Sequence, residues 1–285
     1  VKQNHDSKFF ENIGAELTIP MRFLGPISDI AKIYKNEIND INEGYSGDRF
    51  ALNTHTNRQS NFDYTLQSGY YFNNNIFELV EQASAEIKAN PDDINFSRIL
   101  GFKNATIDLV NKEVRRYIYG EYLDQFEKGE IVISRGGFNI GKQIIIHNGK
   151  ILKIDDTIDI VGPYDIPCLS LKFHDFIPEG NVVVVRNNPE ALNLYEKQKN
   201  YFLDKAKSDS LQWGHYYKFI DSFAYFDYAY SVNTYKVQGQ TLNNVYVLEN
   251  EIMSIKPLTL KQKFQALYVA MTRASKNLYI YNKNY

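Results

Sequence analysis

The feature that most constrains this chain is a change of rhythm partway along it. Up to about residue 125, apolar residues recur at helical spacing between short strand-like runs. From about 126 to 226, short β-type runs follow one another closely, and afterwards the strand-and-helix alternation returns. Alternating strands and helices build helices onto a sheet, whereas closely spaced strands with turn signals build a sandwich or barrel. The pattern predicts an α/β domain made of residues 1–125 and 227–285, interrupted by a small barrel-like β insert at 126–226. With 285 residues, 44% of them hydrophobic, the chain can bury a core of that size.

Individual elements follow from local chemistry. A strand is expected at Ala15–Ile19. Pro26 opens a helix with Ile27, Ile30, Ala31, Tyr34, Ile38 and Ile41 on one face, since proline suits a first turn. Residues 42–75 are polar and read as loop with room for one strand. A second helix runs from Ile76 to Ala89. Arg98–Phe102 is a short buried strand, leading to a helix that carries Ile107, Val110, Val114 and Ile118 and stops at Gly120. Runs at Glu130–Ser134, Gln143–His147 and Lys150–Ile154 are strands, the last two joined by Asn148-Gly149, a type I′ hairpin signal. Asn181–Arg186 is a strand and Pro189–Lys207 a charged helix. Strands at Tyr228–Thr234, Val245–Leu248 and Leu278–Tyr281, with a helix at Thr259–Ala274, complete the reading.

Composition excludes several classes. The formal net charge is -2, from 32 Lys+Arg against 34 Asp+Glu, so the chain is no bulk-basic coat for nucleic acid. Any strand it binds must sit in a local groove. A single cysteine, Cys168, rules out a disulfide framework and a multi-cysteine zinc site. The histidines are scattered, and no metal site is expected within this chain. No apolar run approaches the roughly 20 residues that span a bilayer. With no signal peptide visible, a cytoplasmic setting is expected. The abundance of Tyr and Phe is what an AT-rich genome produces, such as that of a phage or low-GC bacterium, and is not counted toward base stacking. The first residue is Val1, which fits a piece of a longer chain.

The sharpest signal lies in the last sixty or so residues. Tyr230–Thr241 reads YSVNTYKVQGQT and Ala266–Ala274 reads ALYVAMTRA. In the first, a strand runs into a turn where Gly239 lets backbone approach a phosphate with no Cβ in the way. Lys236 offers charge there, and Asn233 and Thr234 offer hydrogen bonds. In the second, Arg273 is a permanently charged planar donor on an otherwise apolar helix, suited to neutralising a γ-phosphate or, more plainly, to a salt bridge.

These two stretches resemble motifs V (Y-A-x-T-x-H-K-x-Q-G-x-T) and VI (L-Y-V-A-x-T-R-A) of superfamily 1 DNA helicases of the Dda/RecD-like branch, in the same order. Leu17–Ala31, LTIPMRFLGPISDIA, resembles motif IV, which makes Arg22 a second phosphate-facing arginine. Ile99–Arg115, ILGFKNATIDLVNKEVR, resembles the family segment L-A-F-T-N-K-T-V-x-x-L-N-x-x-I-R. Asn104 there is either a helix cap or a contact to the tracked strand. The resemblance implies a second RecA-like domain of the P-loop NTPase type with an inserted SH3-like barrel. It implies that Arg22 and Arg273 complete an ATP site, that Gln238 and Gly239 line it, and that Asn104, Asn233, Thr234, Tyr235 and Lys236 face single-stranded DNA, with 5′→3′ movement. The insert would guide that strand, with Phe138, Tyr164 or Trp213 available to stack on bases or to pack the core.

Departures from the pattern bear on DNA more than on ATP. Asn233 stands for a threonine, Tyr235 for a histidine, and Lys103-Asn104-Ala105 for T-N-K. No G-x-x-x-x-G-K-[ST] occurs, nor an acidic pair after an early apolar strand. ATP and Mg²⁺ would therefore be held mainly by an N-terminal RecA-like domain, the chain's expected partner beside a DNA fork, and the chain alone is expected to hydrolyse no ATP. The alternative is a non-catalytic nucleic-acid- or partner-binding module derived from a helicase half.

Overall fold

A computed structural model describes residues 25–42, 59–120, 125–140, 143–174 and 182–283. The strand expected at Ala15–Ile19, and Arg22, lie outside them. The elements in chain order are α1 (Pro26–Asn42), β1 (Asn61–Asp63), β2 (Ser68–Asn73), α2 (Ile76–Ala89), β3 (Ser97–Gly101) and α3 (Asn104–Tyr119). Then come β4 (Ile131–Ser134), β5 (Phe138–Ile140), β6 (Gln143–Ile146), β7 (Ile151–Val161), β8 (Pro167–Phe173), β9 (Val182–Val185), α4 (Pro189–Ser208) and α5 (Trp213–Ile220). Last are β10 (Phe226–Tyr228), β11 (Ser231–Asn233), β12 (Leu242–Val247), α6 (Glu249–Met253), α7 (Leu260–Met271) and β13 (Ala274–Tyr281).

Among the described residues the first sheet has six strands, in the order β1-β2-β13-β12-β3-β11. All its pairs are parallel except β1 with β2. Every residue of β3 is buried and β12 is nearly so, which requires cover on both faces. Helix α1 packs along α7, and α2 along α3. The expected faces are the ones that pack: Ile27, Ile30, Ala31 and Tyr34 of α1, and Leu79, Ala83 and Ile87 of α2, are buried. Side-chain capping fixes two helix starts. The Asn75 amide oxygen accepts from Phe77 N, and Thr259 with Gln262 forms a capping box. Helix α3 ends at Gly120 in the left-handed region (φ 85°).

The second sheet is antiparallel, with five strands among the described residues in the order β10-β4-β7-β8-β9, and β5 and β6 form a separate ribbon. Strand β4 is a shared wall. Its Ile131 and Ile133 belong to the core of the parallel sheet, whereas Val132 packs with Leu152, Leu169 and Val184. Beyond β8 and β9, Tyr195 of α4 and Phe219 of α5 close on Cys168 and Val183.

Several sequence expectations need correction. Residues 59–75 hold two paired strands rather than one. Asn148-Gly149 is not a β6–β7 hairpin. Strand β7 pairs with β4 and β8, and β6 pairs with β5. Only Gly149 of the two has positive φ (77°), whereas a type I′ turn needs it at both central positions. The turn instead binds β4, with Gly149 N donating to Ser134 O and the Ser134 hydroxyl to His147 O. The single strand expected at Tyr228–Thr234 is two strands in two sheets. Chain leaves the antiparallel sheet at Tyr228 and enters the parallel one at Ser231. The last helix stops at Met271, so Arg273 lies in the turn before β13, which begins at Ala274.

Candidate functional site

The stretch YSVNTYKVQGQT is built around a passage between sheets, held by side chains from β3 and α3. Asn111 accepts from Ser231 N (2.7 Å) and donates to the carbonyls of Tyr228 (3.1 Å) and Ser231 (3.0 Å). Fully buried Arg98 donates to the Ala229 carbonyl, and burial pulls its guanidinium down to about 10. Ile99 N donates to Tyr230 O, and Ala229 N to Ile131 O. Ala229 N, Ser231 N and the carbonyls of Tyr228, Ala229, Tyr230 and Ser231 thus all find partners, as a buried backbone requires.

A buried ion pair stands beside it. Arg115 Nε donates to Glu130 Oε1, and the guanidinium lies over the Tyr228 ring, 3.9 Å from its centroid. Glu130 also accepts from Glu127 N (2.9 Å). Burial pushes the Glu130 carboxyl up to about 7, against the attraction of Arg115. These residues join α3 to the start of the antiparallel sheet.

Beyond β11 the connection 234–241 must return from one end of the parallel sheet to the other. Asn233 is level with Gly101 at the C-terminal end of β3, whereas Leu242 pairs with Ala274 at the N-terminal end of β13. The connection begins as a 3-10 turn, Thr234–Val237, that packs against α7. Its first residues turn inward. Asn233 donates to Phe102 O (2.7 Å) and accepts from Tyr235 N (3.0 Å). Thr234 is fully buried and its hydroxyl donates to Gly101 O (3.0 Å). Tyr235 and Lys236 are exposed. Tyr235 meets Phe102 edge-on, and Lys236 lies 3.6 Å from Asp227.

At the other end, Gln238 and Gly239 are exposed. Gly239 has φ 85° and open space where a Cβ would stand. Here Arg273 joins the connection. Its Nε donates to Val269 O (3.1 Å), one terminal nitrogen to Gln240 O (3.3 Å) and the other to the Thr272 hydroxyl (3.0 Å). Leu242 N in turn donates to Arg273 O (2.9 Å). The two motif stretches therefore meet along one sheet edge.

The predicted site residues fall into two groups. Gln238, Gly239 and Arg273 come together at the N-terminal edge. Asn104, Asn233, Thr234, Tyr235 and Lys236 belong to the C-terminal edge. Asn104 is not a cap. Lys103 holds that position without a side-chain bond, and Asn104 is the exposed first residue of α3. The Glu251 carboxylate accepts from Phe102 N (2.9 Å) and Lys103 N (2.7 Å) just before it. Phe138 is buried in the core of the second sheet, Tyr164 packs on Phe202 and Phe219, and Trp213 stacks on Tyr217. The run Gly136–Gln143, GGFNIGKQ, has the glycine and lysine spacing of a phosphate loop without its Ser/Thr; Gly141 and Lys142 lie outside the described residues.

Arg98, Glu130 and Glu251 were not singled out from sequence, and no motif marks them. Asn111 and Arg115 stand at the N and R of the segment resembling L-N-x-x-I-R, which was the available signal. Among the described residues, no group of three or more His, Cys, Asp or Glu is placed to hold a metal, and no helix is long and apolar enough to cross a membrane.

Residues 228–281 match the family model described as UvrD-like helicase C-terminal domain. That span takes in the passage from β10 to β11, the whole connection and Arg273. No curated protein sequence matches the chain. Among solved structures, the Pif1 helicase from Candida albicans is similar at 16% identity, over 88% of this chain and 53% of that one, with a TM-score of 0.36. The Pif1 helicase from Bacteroides in complex with ADP-AlF3 and ssDNA is similar at 12% identity, over 95% and 53%, with a TM-score of 0.40. The chain spans about half the length of each, at 53%.

Proposed function

We propose that this chain is the C-terminal motor half of an ATP-dependent DNA helicase. The observation that carries the reading is the junction of Arg273 with Gln240 and Leu242, inside the family-matched residues. It sets a guanidinium beside an exposed glycine turn, a donor set suited to the outer oxygens of a nucleoside triphosphate. ATP and Mg²⁺ would be held mainly by an N-terminal RecA-like domain across a cleft. When bound, ATP supplies the phosphoryl-transfer step. Arg273 then neutralises charge on the γ-phosphate, Arg22 is the second phosphate-facing arginine by the motif IV resemblance, and Gln238 and Gly239 line the cleft.

The other end of the connection serves single-stranded DNA. Tyr235 offers an exposed ring, Lys236 a charge, and Asn104 an amide at the start of α3. Asn233 and Thr234 act from inside by fixing the turn that presents them. The antiparallel unit corresponds in this reading to the SH3-like insert of the Dda/RecD-like branch and helps guide the strand. One short connection reaches both sites, so closure of the cleft on nucleotide displaces the DNA-facing turn.

The test is Arg273→Ala in the complete enzyme. Nucleotide binding should persist while DNA-stimulated ATP turnover is lost. A near-normal kcat overturns the assignment.

A further inference from the structure

Asp227 stands where the two sheets abut, on β10. Two cations from different units converge on its Oδ2: Arg135 Nε at 3.4 Å, just past the end of β4, and Lys236 Nζ at 3.6 Å, in the turn after β11. Both cations ride on fixed backbone. Arg135 N donates to Tyr225 O (2.8 Å), and the Lys236 turn is capped by Asn233. Both ion pairs are longer than charge-assisted hydrogen bonds. The Arg135 side chain is 70% exposed, that of Lys236 42% and that of Asp227 29%. Such pairs are weak and exchangeable in water. The exposed ring of Tyr235 adjoins Lys236 in the same turn.

We propose that Arg135 and Lys236 form a binding site for one backbone phosphate of single-stranded nucleic acid, and that Asp227 occupies that site in the free protein as an internal anion. This rests on the reading of Lys236 as a DNA-facing residue, and it adds Arg135, a residue of the antiparallel unit, to the contact. Two cations converging on one point repel each other, and an anion between them relieves that repulsion. The carboxylate supplies it until a phosphate takes its place, and a phosphate's tetrahedral oxygens can meet both cations at once. The exchange makes Asp227 a brake on binding. The strand would pass from the turn after β11 onto the end of β4, across the boundary between the sheets.

The experiment measures binding of a fluorescein-labelled oligothymidylate to the full chain by anisotropy across a salt series. Asp227→Asn is expected to tighten binding about three- to tenfold. Arg135→Gln and Lys236→Gln should each weaken it, lower the salt slope by about 0.7, and remove the gain when combined with Asp227→Asn. Glu190→Gln, the same charge change on the exposed first turn of α4, controls for net charge. Equal effects of Asp227→Asn and Glu190→Gln overturn the proposal, as does a gain that survives loss of Arg135. If Lys236→Gln weakens binding but Asp227→Asn does not strengthen it, the brake is refuted and the DNA-facing reading stands. If neither the wild type nor Asp227→Asn binds at low salt, both fall.

Discussion

The two ends of the connection between β11 and β12 use similar residue types in opposite ways. At the C-terminal edge of the sheet, Asn233 and Thr234 turn their polar atoms inward onto the carbonyls of Phe102 and Gly101. At the N-terminal edge, Gln238 and Gly239 are exposed, and the inward bonds come from Arg273, reaching the Gln240 carbonyl from the adjoining turn. The first end is therefore rigid by its own side chains, with Tyr235 and Lys236 carried outward on it. The second end is rigid by a partner that is itself the proposed reacting cation. A disturbance at the second end must move Arg273, whereas one at the first must break buried hydrogen bonds.

The largest expected effect breaks the second end. In the complete enzyme, Arg273→Lys keeps the charge, but an ammonium cannot hold Val269 O, Gln240 O and the Thr272 hydroxyl in one planar fork. Turnover should fall by on the order of 10³, read as kcat at saturating ATP, and retention of most activity would show that charge alone suffices. Next comes the passage into the first end. Asn111→Ala leaves three backbone groups of 228–231, two of them buried, without this partner and should cost about 3 kcal/mol in chemical denaturation; a cost under about 1 kcal/mol would mean that water replaces the amide.

A paired test separates inward from outward residues at the first end. Thr234→Val should lower stability by about 1 kcal/mol and leave oligonucleotide affinity unchanged. Tyr235→Ala should weaken affinity and leave stability nearly unchanged. The reverse pattern would dissolve the distinction.

The mildest effect is a slope. The Glu130 carboxyl is raised from its ordinary 4.5 to about 7 in the folded protein. Stability from this group is full below 4.5 and is lost as pH rises through 7, because the buried form favours the proton. Stability should therefore decline across that window. Glu130→Gln should flatten the decline and lower stability chiefly above pH 7, where the ionised carboxylate is the counter-charge that Arg115 loses. An unaltered slope would locate the titration elsewhere.

Much of this was legible in the chain. The apolar faces of α1, α2 and α3 follow from helical period, and the stop at Gly120 from local backbone chemistry. The two motif stretches are recognisable because their residues are contiguous. Strand β4 was legible as a strand but not as a wall between two cores, since Ile131, Val132 and Ile133 are all apolar and carry no alternation.

The sequence by itself determined most of the helices and several of the strands, because period and turn chemistry act over a few neighbours, and its contiguous motifs marked the residues proposed for phosphate-directed chemistry. Tertiary structure alone decided that Tyr228–Thr234 divides between two sheets, that Asn148-Gly149 docks on Ser134, and that Thr234 faces Gly101 while Lys236 faces Asp227. Those outcomes depend on partners far away in the chain, such as Asn111 for Ser231 and Arg98 for Ala229. A side chain's direction at the end of a strand is set by which of those distant carbonyls and carboxylates packing brings within reach, and no local pattern encodes that.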